Sequence, residues 1–125
     1  MISVIDDDRS VREAVESLIR SLGYQAVTFT SAEEYLGSDR INDSECVITD
    51  IQMPGMTGLD LQDRLIADGY RRPIIFMSAL AAEDVGANAV RTSASRFLKK
   101  PFSGERLIDC LDWALRDPGS DPRQS

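Results

Sequence analysis

The chain has 125 residues, enough for one domain with a real hydrophobic core and no need of disulfide staples. Its formal net charge of -7 argues against a broad electrostatic surface for DNA or RNA, so direct nucleic-acid binding is not expected. Histidine is absent, which rules out an in-chain imidazole base, and the two cysteines, Cys46 and Cys110, lack the spacing of a zinc site.

The elements follow in chain order. Ile2 to Ile5 is a short apolar run that ends in Asp6-Asp7-Asp8. Val11, Ala14, Val15, Leu18, Ile19 and Leu22 recur at steps of three and four, which predicts a helix with one apolar stripe, capped by Asp8 and stopped at Gly23. Gln25 to Phe29 reads as a second strand. Ser31 and Glu34 form a capping-box pattern that opens a short helix through Leu36. After a polar loop, Glu45 to Thr49 is a third strand that delivers Asp50; Pro54 and Gly55 keep the next segment irregular. Gly58 to Ala67 is helical, with Leu61 and Leu65 on one face. Pro73 to Met77 is a continuous apolar run, the pattern of a strand buried on both faces. A helix over 81–92 is weakened by Gly86 and Asn88. Ser95 to Lys99 is a fifth strand. Ser103 to Arg116 is a last helix with Leu107, Ile108, Leu111 and Leu115 as its apolar face. The Pro-, Gly- and Ser-rich stretch 117–125 reads as a flexible tail or truncated interdomain linker, leaving 1–116 as the folded domain.

This five-fold alternation predicts a doubly wound, five-stranded parallel α/β sheet with helices on both faces. In such sheets the working crevice lies outside the carboxyl ends of the strands. With a flavodoxin-like strand order 2-1-3-4-5, Asp6, Asp7, Asp50, Ser78 and Lys100 would meet there. Taken singly, each has an ordinary explanation: an acidic triplet caps a helix, a serine sits in a turn, a lysine is a solvated charge. Together they are costly to assemble, because clustered carboxylates repel. A divalent cation with oxygen ligands resolves that repulsion, and Mg2+ also bridges to phosphate oxygens. A lysine adds a compact positive charge and a serine hydroxyl a donor. The set suits phosphoryl transfer to a carboxylate.

At this point the residues resemble the receiver domain of two-component response regulators. Asp50-Ile-Gln-Met-Pro-Gly-Met-Thr-Gly58 is similar to the family's phosphoacceptor segment, Ile5-Asp6-Asp7-Asp8 to its acidic pair, Met77-Ser78-Ala79 to its switch-hydroxyl segment and Lys100-Pro101-Phe102 to its lysine–proline segment. The resemblance covers roughly residues 2 to 116. It implies that Asp50 is the phosphoacceptor and that Asp7, Asp50 and the backbone carbonyl of Gln52 ligate Mg2+ (or Mn2+), with Asp6 acting through metal-bound water. It implies that Lys100 holds the acceptor carboxylate and then the phosphoryl group, that Ser78 bonds a phosphoryl oxygen, that Phe97 turns inward as an aromatic switch, and that Lys100-Pro101 is cis. The implied donor is a sensor histidine kinase. The implied output is a switch of the face built by the fourth helix, fifth strand and fifth helix, which then dimerises or engages an output domain or effector. Thr92-Ser93-Ala94 departs from the glycine-bearing turn usual before the fifth strand.

Two rival classes stand beside this reading. An aspartyl-phosphate phosphatase needs a second acid where Gln52 stands, and a cap domain. A degenerate receiver used only for binding would lack the acceptor or a metal acid. On this reading the chain is not an enzyme beyond catalysing its own phosphorylation and dephosphorylation. No segment has the roughly 18 consecutive apolar residues of a membrane span, and no signal-peptide pattern opens the chain; the expectation is a cytoplasmic protein with reduced thiols and no membrane contact.

Overall fold

The computed structural model describes residues 1–79 and 95–116. Five strands, β1 (Ile2–Ile5), β2 (Ala26–Phe29), β3 (Cys46–Asp50), β4 (Ile74–Ser78) and β5 (Ser95–Lys99), form one sheet in the order β2-β1-β3-β4-β5. Every pairing is parallel, with Ile5 opposite Thr49, Asp50 opposite Met77 and Ser78 opposite Lys99. The register therefore brings the carboxyl ends of β1, β3, β4 and β5 to one edge. Among the described residues four helices accompany the strands: α1 (Arg9–Ser21), α2 (Ala32–Leu36), α3 (Gly58–Ala67) and α4 (Gly104–Arg116), the last being the helix expected over 103–116. The expected helix over 81–92, the turn at 92–94 and the tail at 117–125 lie outside the described residues.

Strand alternation divides the core. Ile2, Val4, Ile48, Ile75, Met77 and Leu98 face Val15 and Ile19 of α1 and Leu107, Leu111 and Ala114 of α4. Ile5, Val47, Ile74 and Phe76 face Ala32 and Tyr35 of α2 and Leu61 and Leu65 of α3. Helices thus cover both faces. The central strands β1, β3 and β4 are buried at every position, as a parallel sheet requires. At α4 the buried stripe runs through Ala114, while Leu115 and Ile108 are only half-buried. Leu107, Leu111 and Leu115 of the expected face pack on the core, and the small Ala114 joins them fully buried.

Local chemistry sets the strand ends. Asp8 caps α1 through Ser10 and Val11, and Gly23 follows the helix at a φ of 92°, which suits glycine. Ser31 accepts from the Glu34 N–H, but Glu34 reaches back to Thr30, one residue short of a closed capping box. The closed box belongs instead to Thr57 and Asp60 at the start of α3. Gly58 donates to the Ile51 carbonyl at 3.0 Å, and a Cβ on it would collide with the backbone carbonyl of Asp50. The glycine is needed for close approach, since its φ is not positive. Gly58→Ala should cost about 1–3 kcal/mol as the overlap pushes α3 off β3. Urea unfolding followed by circular dichroism checks this, and unchanged stability would show that the backbone yields freely.

Candidate functional site

Three of the expected residues converge as carboxylates. Asp6 and Asp7 follow β1, and Asp50 ends β3; one ligand atom from each lies within 4.8 Å of the others. Asp6 is fully buried, Asp50 almost so, and Asp7 is exposed. Burying acids is unfavourable unless their oxygens find partners. Asp6 finds them on every side: its Oδ1 accepts from the Asp8 N–H at 2.9 Å, and its Oδ2 accepts from Lys100 Nζ at 2.8 Å. Asp50 is less well supplied. Its Oδ1 accepts from the Gln52 N–H at 3.3 Å, and its Oδ2 lies 3.4 Å from the same Lys100 ammonium.

Lys100 thus serves two carboxylates at once and sits closer to Asp6 than to Asp50, the one the family resemblance gave it. It is placed by the turn after β5: its N–H donates to the Ser78 carbonyl at 2.6 Å, and Lys100-Pro101 is cis, as expected. Burial works to lower the lysine's pKa, but the hydrogen bond and charge of Asp6, with the charge of Asp50, outweigh it and leave the pKa raised. For Asp50 the balance goes the other way for an acid. Burial, then the negative charge of Asp6, push its pKa up, and Lys100 and the Gln52 N–H only partly offset them. The Asp50 carboxylate is therefore held in an environment short of positive charge.

Ser78 ends β4, fully buried, beside the Met77 that opposes Asp50. Gln52 is exposed two residues beyond Asp50. Phe97 lies mid-strand on β5, opposite Phe76, half-buried against the α2–α3 side of the core. Two contributors were not foreseen. Arg12 donates from α1 to the backbone carbonyl of Asp6 at 2.7 Å. Glu33 of α2 accepts the Met56 N–H at 3.3 Å and so tethers the loop after Asp50. Each joins a helix side chain to a backbone group outside its helix, six residues away for Arg12 and 23 for Glu33.

The donor set fits a hard divalent cation: all oxygen, clustered, and carrying more negative charge than one lysine neutralises. Asp6, Asp7 and Asp50 are the carboxylates that could hold it. The electrostatics carry a stability consequence. Between the ordinary carboxylate value of 3.8 and its raised folded value, folded Asp50 holds a proton that the unfolded chain has lost. Stability therefore falls as pH climbs through that window and stays low above it. Asp50→Asn removes the penalty while Asp6 keeps its bond to Lys100. In EDTA at neutral pH it should unfold at a higher temperature than the parent. The advantage should shrink as pH approaches about 4. Thermal scans at both ends of this range check it, and an equal or lower midpoint at neutral pH would contradict it.

The response regulator receiver domain family matches residues 2–112 of the chain. The transcriptional regulatory protein TdiR of Thauera aromatica is 38% identical over 114 residues, which are 91% of this chain and 50% of TdiR. The structure of the response regulator StyR superposes with a TM-score of 0.85 at 36% identity, covering 98% of this chain and 62% of that one. The chemotaxis protein CheY4 of Vibrio cholerae gives a TM-score of 0.80 at 25% identity, covering 91% and 97% of the two chains. The chain spans about half the length of the curated relatives it matches. None of the described helices is long and apolar enough to cross a membrane. Matched over most of its length, and carrying an acidic crevice at the carboxyl edge of a 2-1-3-4-5 sheet, the chain belongs to the response regulator receiver domain family, the phosphoacceptor module of response regulators.

Proposed function

We infer that Asp50 accepts a phosphoryl group from the phosphohistidine of a sensor histidine kinase. The observation that carries this is the placement of Lys100 3.4 Å from Asp50 in a crevice where three carboxylates lie within 4.8 Å of one another. An Asp50 carboxylate oxygen bonds to phosphorus as the P–N bond to the kinase imidazole breaks, and the departing nitrogen keeps the electron pair and is reprotonated by solvent. Asp7, Asp50 and the Gln52 carbonyl would hold Mg2+ (or Mn2+) directly, with Asp6 contributing through water, and when bound the cation would neutralise charge on the carboxylates and on the transferring oxygens.

The chain's own residues do the rest. Lys100 and the Gln52 N–H favour the ionised, nucleophilic form of Asp50. Once the phosphoryl group is in place, roughly one and a half to two negative charges have been added, and Lys100 and the Ser78 hydroxyl gain acceptor oxygens. Ser78 and Phe97 lie on β4 and β5, so their rearrangement would reach β5, α4 and the helix expected over 81–92. That face then dimerises or engages an output domain or effector. Residues 1–116 act as the switching domain, and 117–125 lead on from it. The setting is cytoplasmic, and the chain turns over nothing beyond its own phosphodonor and water.

Incubation with acetyl phosphate or phosphoramidate plus Mg2+, read by intact mass, should add one phosphoryl group to the parent chain and none to Asp50→Asn or to a sample in EDTA. An adduct that persists in Asp50→Asn would move the acceptor elsewhere.

A further inference from the structure

We propose that Arg12 is a positioning residue for the cation site, acting through the peptide that joins Asp6 to Asp7. The inference rests on the reading of Asp7 and Asp50 as cation ligands. Arg9 and Arg64 each pair with a carboxylate four residues away on an exposed helix surface, and Arg20 does so while also donating to the Ala26 carbonyl. Arg12 reaches a backbone carbonyl at the acidic crevice itself. It is half-buried in the first turns of α1, and its guanidinium reaches back to the Asp6 carbonyl at 2.7 Å.

That contact completes the fixing of Asp6. Its N–H donates to the Phe29 carbonyl at 3.2 Å, Oδ1 accepts from Asp8 and Oδ2 from Lys100. The carbonyl is the remaining polar group, and Arg12 supplies its donor. A peptide unit is planar, so holding the Asp6 oxygen also sets the direction in which Asp7 leaves the strand. Asp7 is exposed and must carry its carboxylate toward Asp50 from a turn. Without the guanidinium, the 6–7 peptide keeps only the partners on its Asp6 side. Groups that orient a ligand in this way commonly govern metal affinity without touching the metal.

The sign of the effect separates positioning from charge. A guanidinium acting only as a positive charge near the site weakens cation binding, so its removal would tighten it. Positioning predicts the reverse. Calorimetric titration of Mg2+ into the parent chain, Arg12→Met and Arg12→Lys, with thermal unfolding of each in EDTA, makes the comparison. Arg12→Met should bind Mg2+ roughly ten-fold more weakly, and Arg12→Lys, which keeps the charge and a donor, should recover most of the loss. Mg2+ binding by Arg12→Met that is unchanged or tighter would overturn the proposal, whatever its melting temperature. Should Arg12→Met not fold, Arg12→Gln removes the same charge at shorter reach and is held to the same ten-fold loss. A parent chain that does not bind Mg2+ would instead sink the reading of the site itself, so the two failures are distinct.

Discussion

Everything at the working end of this domain depends on one shared ammonium. Two carboxylates, Asp6 and Asp50, are buried where parallel strands end, and Lys100 Nζ lies 2.8 Å from one and 3.4 Å from the other. Removing an ion from water costs several kcal/mol, and an ion pair recovers that only when its remaining lone pairs are satisfied. Asp6 meets the condition and Asp50 does not. The stable half of the arrangement, Asp6 with Lys100, is scaffold. The unstable half is Asp50, and on the proposed reading a cation and a phosphoryl group would bring what it lacks.

The sheet makes this asymmetry possible. A parallel pairing sets residues of neighbouring strands in a constant register, so four strand ends reach one edge with little loop to order. The turns after them are then pinned by few contacts: Lys100 N–H on the Ser78 carbonyl, Gly58 N–H on the Ile51 carbonyl, and Glu33 on the Met56 N–H. Gly58 matters most here, because its missing side chain lets α3 begin directly against the Asp50 backbone. The opposite pole has its own buried polar group. The hydroxyls of Ser3, Tyr35 and Ser44 bond one another at 2.7 and 2.8 Å, joining β1, α2 and the loop before β3. That network is closed among protein groups and leaves nothing to react.

Much of this was legible in residue order. The alternation of apolar runs and helical stripes is a local signal, and it placed all five strands to within a residue at either end; Gln25, Glu45 and Pro73 fall just outside theirs. Strand-end logic then singled out Asp6, Asp7, Asp50, Ser78 and Lys100, because topology turns five distant positions into neighbours. What could not be read was the share-out of partners. That Lys100 favours Asp6 depends on distances below 1 Å in difference, set by the packing of β5 against β4. Arg12 and Glu33 carry no signal in the sequence, since a side chain that bonds a backbone group off its own helix leaves no periodic mark. Ala114 joins Leu107, Leu111 and Leu115 on the core, a small residue that adds little to an apolar pattern.

The central claim is that Asp50 is electrostatically undersupplied while Asp6 is not. It is tested most directly by following the Asp50 side-chain carboxyl carbon by NMR as pH is varied in metal-free protein. The account predicts a titration midpoint above the ordinary 3.8, pushed up by burial and by the neighbouring Asp6, that falls when Mg2+ is added. A metal-free midpoint at or below 3.8 would mean that Lys100 and the Gln52 N–H already satisfy Asp50, contradicting that undersupply.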